Sequence, residues 1–294
     1  MADELLGIIG GTGLGDALAQ ELSGAEMREV ETPFGRPSGP ILVGQMGQRR
    51  IAFLNRHGEG HKLNPSEVPY AANLFALKKL GARAVLASGA VGSLQEHIAP
   101  GDLVVVDQFI DKTFKRPSSF FTGYGAVHCE MAEPVCRRLR ESLLHVTTGL
   151  DVTTHMEGTY VCMEGPQFST RAESLMHRAW GGDLIGMTAM PEAKLAREAQ
   201  MCYALVALAS DYDCWRPHDP SQGNPGAPGL IEEIVGNLKK ATGNCRRLIE
   251  ALLASDESIV DEDCPCRHSL DLAVWTDPKR IAPTEKERLA VLFE

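Results

Sequence analysis

The sequence predicts an α/β fold, a single domain in which a mixed, mainly parallel, twisted sheet is flanked by helices. Short apolar runs such as residues 5–9 and 202–209 alternate with glycine-rich loops and helical segments up to about residue 215. A short uncharged run is typical of a strand that is buried on both faces, although a buried helix segment has the same pattern. The alternation favours strands, because it is the pattern of a parallel sheet with crossover helices.

Each element is predicted from its own residues. Strands are expected at residues 5–9, 51–54, 84–87, 103–106 and 202–209, and a further apolar segment lies at residues 41–43. Residues 66–80 are expected to form a helix, because Ser66 can cap its first turn and Gly81 can end its last turn. The segment 218–229 is rich in Pro, Gly, Asn and Ser and is predicted as a loop, and residues 230–254 as one long amphipathic helix.

Length and charge limit the class of protein. With 294 residues the chain can bury a large core. We assign residues 1–254 to one domain and residues 255–294 to a C-terminal tail that packs on this domain or on a neighbouring subunit. The net charge of −10 makes nucleic acid and anionic membrane unexpected partners. The first residues do not resemble a signal peptide and no apolar run approaches about 18 residues, so we expect a cytoplasmic protein.

The eight cysteines are spread along the chain, at positions 129, 136, 162, 202, 214, 245, 264 and 266. Most lie in apolar surroundings, where a free cysteine acts as a small hydrophobic residue. Cys264 and Cys266 differ, since only Pro265 separates them. Zinc-ligand pairs usually have two to four residues between them, and no second pair lies nearby, so no metal site is expected. A strained or redox-active disulfide is the alternative, and the redox state of the pair stays open.

Two carboxylates follow the apolar run 202–209. Asp211 and Asp213 stand two positions apart, so on an extended chain their side chains lie on one face and can converge on one ligand. In open α/β sheets, ligands bind at the carboxyl ends of strands. The pair is therefore a candidate ligand-binding site, with a solvated acidic turn as the alternative.

A glycine turn at residues 10–15 follows the first predicted strand. It does not match the dinucleotide motif, because Asp16 stands where the last glycine is needed, and no Gly-Lys-Ser/Thr of a P-loop follows. Such a turn exposes backbone N–H groups, and Thr12 adds a hydroxyl at its apex, so the turn suits a free anion. A purely structural turn is the alternative.

Two further strand ends carry groups that bind anions. Arg56 and His57 follow the strand at residues 51–54, and the small-residue stretch 88–93, which we also predict as a loop, follows the strand at residues 84–87. Together with the glycine turn, these groups offer several donors without a long basic run. This combination favours a compact anion such as orthophosphate. Three unrelated turns with a surface arginine are the alternative.

Many motifs of the chain resemble those of the purine nucleoside phosphorylases. In chain order they occupy residues 7–13, 32–35, 55–58, 92–94, 100–102, 107–111, 164–173 and 186–192. Within that superfamily, residues 131–134 (Met-Ala-Glu-Pro) and 211–215 (Asp-Tyr-Asp-Cys-Trp) resemble the methylthioadenosine phosphorylases. The resemblance covers roughly residues 5–250, and its motifs are long and in order.

The resemblance implies a reaction and its phosphate site. In this family phosphate attacks the anomeric carbon of a nucleoside while the purine leaves. The expected activity is phosphorolysis of 5′-methylthioadenosine to adenine and 5-methylthioribose 1-phosphate. Orthophosphate is then a co-substrate, and no metal or organic cofactor is expected. The positions that match the family's phosphate donors are Thr12, Arg56, His57 and Thr188, with the backbone N–H groups of Gly89 and Ala90.

The resemblance also implies how the nucleoside is bound. Asp211 matches the general acid that protonates or hydrogen-bonds N7 of the leaving purine. Asp213 and Ser169 match the purine edge, where an ionised Asp213 accepts a hydrogen bond from a 6-amino group and repels a 6-oxo group. Phe168 offers an aromatic face for stacking, and Met187 lies against the ribose.

His128 matches a family residue that reaches the nucleoside of a neighbouring subunit, so the resemblance implies a homo-oligomer, either a trimer or a hexamer. An ordinary surface or interface histidine is the alternative. The chain departs from the methylthioadenosine enzymes at Gly89 and Val91, where they usually carry a threonine and a cysteine.

Two other functions stay open. The stretch around Gly89 also resembles relatives that use 6-oxopurines, so a broader purine nucleoside phosphorylase, acting on adenosine, inosine or methylthioinosine, is the alternative function. A nucleoside-binding module without turnover is the alternative from another class.

Overall fold

The computed structural model describes residues 5–11, 14–216, 226–261 and 263–294. Its strands are β1 (Leu5–Gly10), β2 (Ser23–Arg28), β3 (Ile41–Met46), β4 (Arg49–Asn55), β5 (Ala82–Ser93), β6 (Leu103–Val105), β7 (Gln108–Asp111), β8 (Thr154–His155), β9 (Thr159–Cys162), β10 (Leu184–Gly186) and β11 (Cys202–Asp211). Its α-helices are α1 (Leu14–Ala19), α2 (Tyr70–Lys79), α3 (Arg137–Thr147), α4 (Arg171–Ala179), α5 (Glu192–Glu198), α6 (Gly226–Ala254) and α7 (Pro283–Arg288).

All eleven described strands belong to one sheet. Its main path runs β2-β3-β4-β1-β5-β10-β9-β7, and a branch leaves β5 through β11 to β6 and β8. The pairs β1–β4, β1–β5, β5–β11, β6–β8, β7–β9 and β9–β10 are parallel, whereas β2–β3, β3–β4, β5–β10 and β6–β11 are antiparallel. The prediction of a mixed, mainly parallel sheet is therefore confirmed.

The central strand β11 is buried on both faces, which explains its uncharged sequence. Successive side chains of a strand point to opposite faces. Tyr203 and Leu205 accordingly pack in the core that contains residues of α2 and α5. Cys202 and Ala204 pack in the core that contains residues of α1, α3 and α6.

Helix α2 starts later than predicted. It begins at Tyr70, because the Ser66 hydroxyl donates a hydrogen bond to the Glu164 carboxylate and does not cap the helix. Its end agrees with the prediction, since Gly81 follows the last turn with a φ of +95°, a conformation that glycine adopts without strain.

Two predicted loops also differ from the structure. Residues 88–93 continue β5, because they pair with β11 and then with β10. Helix α6 begins at Gly226 instead of residue 230. The part of the predicted loop before it, residues 218–225, lies outside the described residues.

The C-terminal segment 255–294 packs against several parts of the sheet domain. Arg49 donates a hydrogen bond to the carbonyl of Ser255 (2.8 Å), and the Gln200 side chain donates to the carbonyl of Leu292 (2.9 Å). None of the helices in the described part of the chain is long and apolar enough to cross a membrane.

Candidate active site

A cavity of ≈ 630 Å³ lies at the carboxyl ends of the central parallel strands. β1, β4 and β11 all run toward it, since β1 is parallel to β4 and to β5, and β5 is parallel to β11. This is the place where α/β sheets bind ligands. Polar lining comes from Arg56, His57, Ser88, Ser169, Thr188, Ser210, Asp211 and Asp213, and apolar lining from Leu14, Met163, Phe168, Ile185, Met187, Leu208, Ile234 and Leu238.

The middle of β5 opens toward the cavity. β1 pairs with β5 only as far as Ala87, and β10 takes over on β5 from Gly92. Between these points one edge of residues 88–91 has no neighbouring strand among the described residues. The Ser88 carbonyl accepts a hydrogen bond from Arg56, and the other backbone groups on that edge lie beside the cavity without a strand partner.

The first polar end of the cavity is built around Arg56, which is only 1% exposed. Its Nε and Nη2 atoms donate to the two carboxylate oxygens of Glu192 at 2.8 and 2.9 Å, and its Nη1 donates to the carbonyl of Ser88 at 2.7 Å. The hydroxyl of Tyr203 also donates to Glu192, at 2.9 Å. Such a bidentate pair fixes both the position and the orientation of the guanidinium.

The charge of Arg56 is secured by its partner. Burial alone would lower its pKa, but the Glu192 carboxylate outweighs burial, so the pKa of Arg56 is raised. A guanidinium has five N–H groups, and the contacts given above use three of them. The result is a fixed cation with hydrogen-bonding capacity left for an anion.

His57 stands beside this cation in a neutral form. Its Nδ1 lies 2.8 Å from the carbonyl of Leu63, and its ring stacks on that of His61 with 4.3 Å between the centroids. Burial lowers the pKa of His57 to about 4, and the charge of Arg56 acts in the same direction. Because a carbonyl only accepts, Nδ1 carries the proton, which leaves Nε2 as an acceptor.

Thr188 and Gly89 face each other next to Arg56. A Cβ atom built on Gly89 would lie 3.4 Å from the Thr188 hydroxyl oxygen and 3.8 Å from Nη1 of Arg56. These are ordinary contact distances. The missing side chain of Gly89 therefore leaves a small free volume directly beside two anion donors.

The second polar end of the cavity is built at the end of β11. Asp211 accepts hydrogen bonds from the Ser210 hydroxyl and from the Asp213 backbone N–H, both at 2.7 Å. Asp213 has a φ of +47°, which is uncommon for a residue other than glycine and turns the chain back toward the cavity. The two carboxylates thus share the cavity although Asp213 is not on the strand.

Asp213 is a partly buried carboxylate that lies beside the Ser169 and Ser174 side chains. Its Oδ2 is buried and has no hydrogen-bond partner among the described residues. Burial raises the pKa of Asp213, and the neighbouring Asp211 charge adds to the effect. Asp213 lines the cavity, so its carboxylate is a candidate acceptor for a ligand.

Met187 is held in the cavity wall by a buried arginine. Arg116 donates to the carbonyls of Met187 and Met190, both at 2.6 Å, and to the carboxylate of Glu164 at 3.1 Å. Gly165, with a φ of +69°, allows close approach, because a Cβ there would lie 2.5 Å from the sulfur of Met187. Arg116 therefore positions a cavity residue without lining the cavity.

The structure places most of the sequence-predicted site residues in this one cavity. They are Arg56, His57, Gly89, Ala90, Phe168, Ser169, Met187, Thr188, Asp211 and Asp213. Thr12 lies outside the described residues. His128 does not line the cavity; its ring packs edge-on against Trp275, with 4.9 Å between the centroids.

Several functional residues are not evident from sequence spacing. Glu192 is far from Arg56 in the chain, and Arg116 is an isolated arginine in a loop. Ile234 and Leu238 come from α6 and line the cavity. The only sequence signal for Ile234 and Leu238 is the apolar side of the amphipathic helix to which they belong.

The chain is similar to known proteins along most of its length. A family model described as the phosphorylase superfamily matches residues 5–254. The S-methyl-5'-thioadenosine phosphorylase of Geobacter sulfurreducens is 42% identical over 292 residues, which cover 99% of this chain and 98% of that protein. The chain therefore belongs to the phosphorylase superfamily and, within it, to the family of the S-methyl-5'-thioadenosine phosphorylases.

Two solved structures are similar over most of the chain. A methylthioadenosine phosphorylase from an antarctic soil metagenomic library is 41% identical, with 100% of both chains covered and a TM-score of 0.88. A variant of the adenosine/methylthioadenosine phosphorylase from Schistosoma mansoni, in complex with methylthioadenosine, is 37% identical, with 86% of this chain and 91% of that chain covered and a TM-score of 0.76. The predicted single-domain nucleoside phosphorylase fold is confirmed by these structures.

Proposed function

We propose that this chain catalyses the phosphorolysis of 5′-methylthioadenosine, which yields adenine and 5-methylthioribose 1-phosphate. One observation carries the proposal: a single cavity has a fixed buried cation, Arg56, at one end and two carboxylates, Asp211 and Asp213, at the other. An anionic nucleophile and a leaving base need these opposite surroundings. The relatives described as methylthioadenosine phosphorylases support the same reaction.

Phosphate would bind at the Arg56 end. Its oxygens would accept hydrogen bonds from Arg56, from the Thr188 hydroxyl and from backbone N–H groups at Gly89 and Ala90, and Thr12 stays a predicted further donor. Since phosphate already carries the negative charge of a nucleophile, the protein mainly has to position it. No metal or organic cofactor enters this reaction; orthophosphate is the co-substrate.

The proposed role of His57 differs from the donor role that the sequence implies. With Nδ1–H donated to the carbonyl of Leu63, the neutral ring presents Nε2 as an acceptor. It would therefore accept a hydrogen bond from the P–OH group of monohydrogen phosphate. This contact orients the charged oxygens of phosphate toward the anomeric carbon.

The leaving purine would bind at the carboxylate end. Asp211 would protonate or hydrogen-bond N7 while the glycosidic bond breaks, which neutralises the charge that develops on the base. The carboxylate of Asp213 would accept from the 6-amino group, with Ser169 at the same edge. Met187 would lie against the ribose and Phe168 against the purine face.

We also propose a homo-oligomer, a trimer or a hexamer, in which His128 reaches the nucleoside of a neighbouring subunit. Three large apolar side chains support an oligomer, because Phe114, Leu272 and Trp275 are 77%, 91% and 73% exposed in the single chain. A cytoplasmic location and a role in purine and methionine salvage complete the proposal.

Product analysis tests the proposed function. The purified protein is incubated with 5′-methylthioadenosine, with and without phosphate, and the base and sugar products are identified. We expect adenine and 5-methylthioribose 1-phosphate only when phosphate is present. Release of adenine without phosphate would make the protein a hydrolase, and binding without any product would make it a nucleoside-binding module.

A broader specificity is the second candidate function. It is favoured by Gly89 and Val91, which line the cavity and resemble the relatives that use 6-oxopurines. The Schistosoma mansoni relative, which is described as acting on adenosine and methylthioadenosine, favours a tolerant 5′ pocket. Phosphate-dependent release of hypoxanthine from methylthioinosine, or of adenine from adenosine, at comparable kcat/KM would establish this function in place of the narrow one.

A further inference from the structure

Four buried cysteines meet at the end of the sheet opposite the cavity. Cys136 directly precedes α3 and Cys202 is the first residue of β11, while Cys264 and Cys266 come from the C-terminal segment. Their exposed fractions are 1%, 0%, 6% and 5%. Three separate parts of the chain thus bring their sulfur atoms to one point.

The spacing of the sulfur atoms is that of ligands around one ion. All four lie within 4.8 Å of one another, and Cys264 Sγ is 3.7 Å from Cys136 Sγ and 3.5 Å from Cys202 Sγ. A tetrahedral zinc ion with Zn–S distances of about 2.3 Å holds its sulfur ligands about 3.8 Å apart. Two sulfurs joined in a disulfide lie about 2.05 Å apart. All four cysteines are free thiols in the structure.

The surroundings suit a closed, charged site. The core that contains the four cysteines also contains Leu139, Ile259 and Val260, so water has little access to the sulfur atoms. The buried side chain of Arg197 donates a hydrogen bond to Cys266 Sγ at 3.5 Å. A guanidinium beside the cluster favours the negative charge that thiolate ligands carry.

We propose that Cys136, Cys202, Cys264 and Cys266 bind one Zn²⁺ ion in a structural site that fixes the C-terminal segment to the sheet. On binding, each thiol releases one proton to solvent and forms one S–Zn bond, so four protons leave, the site has a net charge of −2 and no oxidant is needed. Soft thiolate ligands in a tetrahedral set select Zn²⁺ over Mg²⁺ and Ca²⁺. Four protein ligands leave no open coordination position, which separates this site from a catalytic one.

This site goes beyond the proposed phosphorolysis and is spatially separate from it. Cys202 and Asp211 are at opposite ends of the ten-residue strand β11. At roughly 3.3 Å per residue they lie about 30 Å apart. The sequence alone predicts no metal site, because no second cysteine pair lies near Cys264 and Cys266 along the chain; folding supplies the other two ligands singly.

Metal analysis of the full chain tests the proposal. The protein is purified without chelators and without a metal-binding tag, and its metals and accessible thiols are counted by mass spectrometry. We expect about one zinc per chain. One iron per chain would overturn the assignment to zinc, and a metal-free protein, with four free thiols or with two disulfides at these positions, would overturn the site.

Matched variants locate the zinc. Cys264→Ser is expected to lose the zinc and to lower the thermal midpoint, whereas Cys129→Ser, which alters a half-buried cysteine outside the cluster, is expected to keep about one zinc per chain. Zinc retained in Cys264→Ser, or lost in Cys129→Ser, would refute the ligand set. If Cys264→Ser does not fold, Co²⁺ substitution of the wild-type protein tests the site instead. A tetrahedral Co²⁺–thiolate site gives visible and near-ultraviolet bands that an octahedral surface ion lacks. Neither the zinc content nor the Co²⁺ spectrum depends on a substrate. The test therefore remains valid even if the proposed reaction is not observed.

Discussion

The two ends of the cavity are built in opposite ways. At the end where we propose that phosphate binds (the phosphate end), Arg56 is almost fully buried and bonded to Glu192 through two hydrogen bonds. At the end where we propose that the purine binds (the purine end), the buried Oδ2 of Asp213 has no partner among the described residues, and Phe168 is 85% exposed. The charge at the Arg56 end is balanced by a partner within the protein, whereas the Asp213 Oδ2 at the other end has no such partner.

The difference fits the role that we propose for each end. A fixed cation holds an anionic nucleophile without reorganisation at the moment of reaction, which is the condition for efficient electrostatic catalysis. Base selection instead requires a protein group that gains its hydrogen bond only from the correct base, because the wrong base leaves that group unpaired. The phosphate end should therefore contribute to both stability and activity, and the purine end mainly to rate and selectivity.

Arg56→Met should have the largest effect. It leaves the buried Glu192 carboxylate without its counter-charge, and breaking a buried pair in this way typically destabilises a protein by about 3–5 kcal/mol. Arg28→Met is the matched control, since the Arg28–Glu26 pair is exposed and such pairs contribute about 0–1 kcal/mol. The free energy of unfolding in urea is measured at one protein concentration, and the phosphate KM alongside it. Equal destabilisation by the two substitutions would contradict the distinction between the two ends.

Asp211→Asn should leave the fold intact and lower kcat by about 10²-fold or more, the usual range for loss of a general acid. The fold should survive because the amide oxygen can still accept from the Asp213 N–H, and the Ser210 hydroxyl can turn to the Val91 carbonyl, 3.2 Å away. Single-turnover kinetics with 5′-methylthioadenosine and an unfolding curve check both parts. Unchanged turnover would show that Asp211 is not the general acid. A large loss of stability would show that Asp211, like the groups at the phosphate end, contributes to the stability of the fold.

Much of this fold could be predicted from local sequence. The uncharged run of β11 and the terminating Gly81 follow from rules that act over a few residues, and both agree with the structure. The start of α2 was predicted wrongly, because Ser66 bonds to Glu164, a partner far along the chain. Residues 88–93 were predicted wrongly as a loop for a similar reason, since pairing with β11 and β10 outweighs their weak strand propensity.

The residues of the candidate site also fall into two groups, those that the sequence indicates and those that only the fold brings together. Asp211, Asp213 and Arg56 could be singled out because they follow strands whose ends meet at one edge of the sheet. Their partners could not be derived in this way: Glu192 reaches Arg56 only after folding, and four cysteines from three regions converge with no shared motif. Spacing along the sequence identifies residues that can belong to one site. The contacts that set the charge of these residues depend on the tertiary fold.

Asp213→Asn should shift base selectivity rather than stability. The amide can donate to a 6-oxo group, which the ionised carboxylate cannot do, and a hydrogen bond to a charged group is worth about 1.5–3 kcal/mol. We expect the ratio of kcat/KM for 5′-methylthioadenosine to that for methylthioinosine to fall at least about ten-fold. In the wild type the same ratio should fall as the pH is lowered, because the pKa of Asp213 is raised and protonation gives it a donor. A ratio that is unaltered in the variant would contradict the role of Asp213.

Gly89→Thr should give the smallest effect and sharpens the comparison from the phosphate side. The new Cβ would stand 3.4 Å from the Thr188 oxygen and 3.8 Å from Nη1 of Arg56, so it fits without displacing either donor. Its hydroxyl adds one hydrogen bond to phosphate, and a net gain of about 1 kcal/mol corresponds to a phosphate KM about five-fold lower. Gly89→Ala is the control, because it fills the same space without a donor and should leave that KM unchanged. If Gly89→Thr and Gly89→Ala raise the phosphate KM equally, phosphate itself needs the space beside Arg56. In that case the phosphate end requires glycine at position 89 and gains nothing from a further donor there.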